Sequence, residues 1–114
     1  MIHAQAARGP VLSVSAQRTG AGATEVRVSG EIDMATVGLL TAELRRADAG
    51  HVVVDLGEVT FCDSAGLAAL DEAYGAAGDQ GRTLRVVNLQ PQVSMVLRLT
   101  GILEALTRDP AAGQ

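Results

Sequence analysis

Lysine and tryptophan are absent from this chain of 114 residues, and aromatics are reduced to Phe61 and Tyr74. With two aromatic rings there is no platform on which bases could stack. All nine cations are arginines, none in a basic run, and the net charge is −4. Nucleic-acid binding normally needs a clustered Lys/Arg footprint, so it is not expected here. Cys62 is the single cysteine. That excludes an internal disulfide and a multi-cysteine metal site, and it suits a small buried apolar residue. No apolar run approaches the ~18 residues that span a bilayer. The first residues lack the charged-then-apolar layout of a signal peptide. A soluble, cytoplasmic protein without a membrane partner is the expectation.

What is present is an aliphatic core. Hydrophobic residues make up 47% of the chain, so with so few aromatics the interior must be Val, Leu and Ala. The length fits one domain that buries roughly two thirds of its unfolded surface. Residues 1–10 and 108–114 are small and polar with Pro and Gly, and read as flexible tails around a domain at 11–107.

Val11 to Ser15 alternates, with Leu12 and Val14 opposite Ser13 and Ser15. Glu25 to Ser29 alternates likewise, with Val26 and Val28 on one side. The Gly-rich run 17–23 between them predicts an antiparallel hairpin. Asp33 is placed to cap a helix over 34–48, with Val37, Leu40, Leu44 and Ala47 on its apolar face and Gly50 as its stop. Glu43, Arg45, Arg46 and Asp48 form the wet face. Val52 to Leu56 is a buried strand, followed by a short loop and a helix over 64–77 with Leu67, Leu70, Tyr74 and Ala77 inward. Thr83 to Val87 is a further strand. Pro91 opens a last helix over 92–100, and 102–106 is a short apolar segment, strand or helical turn. A strand–helix–strand unit over 52–87 implies a parallel pair. The polar phase of the strands (Ser13, Ser15, Glu25, Arg27, Arg85) argues against helices on both faces. The fold class is therefore α/β: a mixed sheet of four to five strands with helices mainly on one face.

Ser64 stands out because it falls at a helix N-terminus next to a strand end, where the backbone field favours negative charge. Such a serine can be a nucleophile, a ligand contact, a phosphate acceptor or the first residue of a helix capped by Asp63. Nucleophilic catalysis finds little support. Cys62-Asp-Ser-Ala-Gly66 has the second glycine of the Gly-x-Ser-x-Gly elbow but not the first. A serine also needs a base. There is no lysine, His3 lies in the tail, and His51 is roughly 17 Å away along a five-residue strand. Asp55, Glu58 and Asp63 lack histidines at metal-ligand spacing, and no glycine loop of the phosphate-binding kinds is present. Phosphorylation at Ser64 would add about −1.5 to −2 charges at a position that tolerates them locally. A partner docked there would meet a new charge beside Asp63.

Three stretches carry a resemblance: Val28-Ser-Gly-Glu-Ile-Asp33, Val53-Val-Asp-Leu-Gly-Glu-Val-Thr-Phe-Cys-Asp-Ser-Ala-Gly-Leu67 and Leu97-Arg-Leu-Thr-Gly-Ile102. In this order, over about 11–107, they resemble the STAS domain, and more closely the bacterial anti-sigma factor antagonists. The resemblance implies a transcriptional regulator, of the kind used in stress responses, without enzymatic activity or cofactor. In such proteins the unphosphorylated form binds an anti-sigma factor that is also a serine kinase, freeing the sigma factor. Phosphorylation switches binding off, and a serine phosphatase resets it. ATP belongs to the kinase. The phosphorylated serine falls on Ser64. The partner-facing surface falls on Asp33, Asp63, Ser64 and Ala65. Many members carry a second serine where this chain has Ala65, which leaves Ser64 as the one hydroxyl of the motif. Thr60, before the helix, is a weaker acceptor. The chain is expected to be a monomer or weak dimer. The alternative implied by the same resemblance is a non-phosphorylated STAS scaffold or accessory subunit of a signalling or transport complex.

Overall fold

The computed structural model describes residues 11–20, 22–47 and 49–108. Four strands and four helices follow one another in the order β1 (Leu12–Gly20), β2 (Ala23–Ile32), α1 (Val37–Arg46), β3 (His51–Cys62), α2 (Ser64–Asp79), β4 (Thr83–Val87), α3 (Pro91–Leu99) and α4 (Leu103–Thr107) among the described residues. The sheet order is β1-β2-β3-β4. β1 and β2 pair antiparallel, whereas β2–β3 and β3–β4 are parallel. The sheet is thus mixed and four-stranded. The expected tails at 1–10 and 109–114, and Asp48, lie outside the described residues.

Alternation decides which face is buried. Leu12, Val26, Val28, Val52, Val54, Leu56, Leu84 and Val86 point into one core. Leu40 of α1, Leu67 and Leu70 of α2, Val93 and Leu97 of α3, and Leu106 of α4 cover them. The opposite phase leaves Ser13, Ser15, Arg27 and Ser29 exposed and Glu25, Val53, Asp55 and Arg85 half-buried. Arg27 and Glu25 pair at 3.4 Å on this wet face, a contact worth little in solvent.

β3 is longer than the apolar run predicts. Its buried residues are spaced by two up to Leu56, then by three at Val59 and Cys62. Two irregularities cause this. Arg27 pairs with Asp55 but Ser29 with Glu58, and Gly30 pairs with Val59 but Glu31 with Phe61. Each inserts one extra residue into β3, a bulge that shifts the phase of the side chains. The stretch 57–62 is therefore strand rather than loop, and alternation could not reveal it. Beyond Asp55 there is no β4 to pair with. Side-chain amides serve that edge instead: Gln90 Nε2 donates to the Gly57 carbonyl at 2.8 Å and Gln92 Nε2 to that of Thr60 at 3.2 Å.

Gly30 has a backbone reason. Its φ is +114°, and a Cβ there would lie 2.0 Å from the Val11 carbonyl oxygen. Glu31 N–H donates to that same oxygen at 3.0 Å. Only glycine permits this approach of β2 to the chain entering β1.

The first helix departs from expectation at both ends. It starts at Val37 rather than 34 and ends at Arg46. Residues 34–36 form a turn, in which Asp33 Oδ1 accepts from Ala35 N–H at 2.9 Å and Thr36 N–H at 3.0 Å. Asp33 therefore caps the turn that leads into α1. Ala47, extended, is the C-cap, so Gly50 is not the stop. α2 runs on through Gly78 to Asp79, and the chain reverses at Gly81 with φ +72°. The apolar segment after Gly101 is helical, as α4.

Candidate functional site

The site lies where β2 and β3 end side by side. Ile32 pairs with Cys62, so Asp33 and Asp63 each follow a paired strand residue. Asp63 N–H donates to the Ile32 carbonyl at 3.1 Å, which ties the start of α2 to the end of β2. This is the carboxyl end of parallel strands, where open α/β sheets place their ligands.

Asp63 is the N-cap of α2. Its Oδ1 accepts from Ala65 N–H at 2.9 Å and from Gly66 N–H at 3.3 Å. Ser64 is the first helical residue, and it is exposed. Its hydroxyl has no hydrogen bond within the described structure. The cap is thus made by Asp63, and the Ser64 hydroxyl is left to solvent. Ala65 is half-buried and offers no hydroxyl. Thr60 is exposed, with its hydroxyl 3.5 Å from the Gly30 carbonyl.

Asp33 is held by its own network. Thr36 Oγ1 donates to the Glu31 carbonyl at 2.8 Å and accepts from Asp33 N–H at 2.9 Å. Both aspartates are therefore fixed by local backbone bonds. Glu31, exposed, adds a third carboxylate nearby in the chain. Large apolar side chains flank them: Met34 is 82% exposed and Phe61 48%. An acidic, hydroxyl-bearing surface with apolar side chains at its border is what the chain presents here.

Sequence reasoning placed Asp33, Asp63, Ser64 and Ala65, and the structure brings all four to this one end. It missed Gly66 as a packing residue. A Cβ on Gly66 would sit 2.5 Å from Cys62 Sγ and 2.7 Å from Ile32 Cγ2. The glycine lets the first turn of α2 rest directly on the strand ends. A glycine in the first turn of a helix after a buried strand was the available signal.

Cys62 is buried beneath that turn. Burial first, and the neighbouring Asp63 carboxylate second, push its thiol up from 9.0 to about 11. The folded chain thus holds this proton more tightly than the unfolded chain. The associated stability is complete below pH 9.0 and is lost as pH rises toward about 11. Because the chain has no lysine, few other side chains ionise in that window. The thermal midpoint is expected to fall over it, and to fall less in Cys62→Ala. A scan of melting against pH for both proteins checks this. An identical decline in both would assign it elsewhere.

His51 lies at the other end of β3, where Nδ1 pairs with Thr83 Oγ1. Over a twelve-residue strand that is roughly 36 Å from Ser64, twice the separation expected from a five-residue strand. No helix among the described residues is long and apolar enough to cross a membrane.

Comparison with known proteins agrees with this architecture. The family model described as "Mlab, STAS domain" matches residues 15–107. An anti-sigma F factor antagonist of Paenibacillus polymyxa is 27% identical over 85 residues, covering 71% of this chain and 73% of the relative. The crystal structure of an anti-sigma factor antagonist from Mycobacterium paratuberculosis superposes with a TM-score of 0.76 at 28% identity, over 87% of this chain and 86% of that one. The anti-sigma factor antagonist SpoIIAA in its unphosphorylated form shares the fold, with a TM-score of 0.73 at 18% identity over 85% and 87% of the two chains. The phosphorylated form of SpoIIAA, from Bacillus, superposes with a TM-score of 0.68 at 17% identity, over 85% and 90%.

Proposed function

Because the chain belongs to the STAS domain family, we propose that it is an anti-sigma factor antagonist switched by phosphorylation of Ser64. The unphosphorylated chain binds an anti-sigma factor with serine kinase activity, and the sigma factor is released. The kinase then transfers the γ-phosphoryl of its ATP to Ser64 Oγ, and the phosphorylated chain dissociates. A serine phosphatase restores it. The chain acts in the cytoplasm by binding alone and performs no catalysis.

The observation that carries this reading is the exposed, unbonded Ser64 hydroxyl at the head of a helix whose cap is already made by Asp63. The acceptor is open to a kinase. With Ala65 and Gly66 N–H groups engaged by Asp63, a phosphate on Ser64 does not replace that cap. Its charge instead points at whatever is docked. Asp33 and Asp63 supply fixed acceptors for partner donors, and Met34 and Phe61 supply apolar contacts. The relatives support the same reading, since they are antagonists of anti-sigma factors and one is known in both phosphorylation states.

Intact-mass analysis after incubation with ATP and each candidate anti-sigma kinase tests the switch. The expected result is one added phosphate, about 80 Da, that Ser64→Ala abolishes. A stable complex with no phosphate from any kinase would favour the scaffold reading instead.

A further inference from the structure

Away from Ser64, a groove opens between α1 and α2 and reaches the sheet. It encloses about 360 Å³ and is lined by Leu44 of α1 and Ala47 just after it, Ala69 and Ala73 of α2, and Val52 and Leu84 of the strands. Its cause is the sequence of α2. The wall facing α1 carries alanines at 69, 73, 76 and 77, small side chains that leave the gap unfilled, with the longer Glu72 and Gln80 also lining it. Val52 and Leu84 at the floor are only 4% and 6% exposed. A volume of about 360 Å³ is on the scale of one short aliphatic chain and too small for a helix, whose diameter is about 10 Å. Its volume lies in the lower range of small-molecule sites.

The rim sets the charge. Arg45 of α1 and Arg82 before β4 border the groove with the neutral Thr41 and Gln80, against Glu72 as the one lining carboxylate among the described residues. Arg82 Nη1 donates to the Ala47 carbonyl at 3.4 Å, which holds the guanidinium across the end of α1. Arg45 is exposed and has no ion pair among the described residues. An apolar trough with two guanidinium groups at its rim is complementary to an aliphatic chain with an anionic head.

We propose that the α1–α2 groove binds a single-chain aliphatic anion, the chain lying over Ala73, Val52 and Leu84 and the head group meeting Arg45 and Arg82. The ligand would line α2 along its middle and last turns, leaving its first residue, Ser64, uncovered. The site is thus separate from the surface of the proposed switch, and either can fail without the other.

Titration of the full chain with decanoate, below its micellar range and followed by amide chemical shifts, tests this. Saturable shifts are expected at the groove walls, Ala69 to Ala77 and around Leu84, and not at Ser64. Arg45→Gln is expected to weaken decanoate binding by about tenfold, while decanol binds both proteins alike. Ala73→Leu, which fills the trough, is expected to remove binding with the remaining spectrum preserved. Should that variant fold poorly, Arg45→Gln, a change at an exposed side chain, decides alone. Non-saturable shifts spread over the surface would overturn the proposal. So would decyltrimethylammonium binding as tightly as decanoate, or wild-type affinity in Arg45→Gln.

Discussion

Glutamate in place of Ser64 is expected to leave the chain folded and to weaken its binding to the anti-sigma factor by about a hundredfold or more. The fold should survive for three reasons. The Ser64 side chain is exposed, its hydroxyl bonds nothing within the described structure, and the first turn of a helix favours a carboxylate. The partner sees something different. A fixed negative charge arrives beside Asp63 and Asp33, whose positions are held by backbone bonds at 2.9 to 3.3 Å. Neither aspartate can swing away to make room, so a partner docked over Ser64 must bury a bulkier carboxylate that its existing donors, already engaged by Asp33 and Asp63, do not pair. Ser64→Ala adds no charge and should bind as the wild type does, without being released by ATP. Isothermal titration of the three proteins against the anti-sigma factor reads both effects. Equal affinity for Ser64→Glu and wild type would move the switch elsewhere.

The second large effect is expected from Gly66→Ala. Alanine in a helix is ordinarily favoured over glycine by roughly 1 kcal/mol. Here the added methyl meets Cys62 Sγ at 2.5 Å and Ile32 Cγ2 at 2.7 Å, and forcing such contacts in a packed interior costs about 1–3 kcal/mol. The steric term should win, and the variant should unfold at lower urea concentration. Gly75→Ala is the internal comparison. It lies in the same helix, and a Cβ there meets nothing within 4 Å, so it should stabilise by roughly 0.5–1 kcal/mol. Cys62→Ala in the Gly66→Ala background removes one of the two clashes and should restore part of the loss. The functional consequence follows from geometry. To accommodate alanine, the first turn of α2 must lift from the strand ends, moving Ser64 and Asp63 relative to Asp33. Gly66→Ala is therefore expected to bind the anti-sigma factor less tightly than its residual stability alone explains. A variant as stable as wild type would contradict the packing.

These residues also show how much of the molecule was legible in the sequence. Strict alternation at Leu12 to Val14, Val26 to Val28 and Val52 to Leu56 marked strands and told the buried face from the wet one. The helical spacing of Leu67 and Leu70, and of Val93 and Leu97, marked the cover. Legibility failed where the phase slipped. After Leu56 two bulges change the spacing of buried residues from two to three, so six residues of strand looked like a loop. Asp33 reads as the N-cap of the first helix, but its side chain holds the turn over 34–36 instead; Thr36 is the N-cap, and α1 begins at Val37. At the site, Ser64 and both aspartates were visible as a pattern of residue types. Gly66 was not, because its requirement comes from how α2 packs on Cys62 and on Ile32, the latter thirty-four positions away in the chain. The α1–α2 groove was equally hidden, since it arises from what small side chains leave unfilled between two helices.

The central claim is that one phosphate on Ser64 separates two states of this surface. Its most direct measurement is the affinity of a single preparation for the purified anti-sigma factor before and after full phosphorylation, with release of bound sigma factor as the readout. The account predicts tight binding and sigma release before phosphorylation, and loss of both afterward, with full recovery on treatment with a serine phosphatase. Undiminished binding by the phosphorylated chain would contradict it.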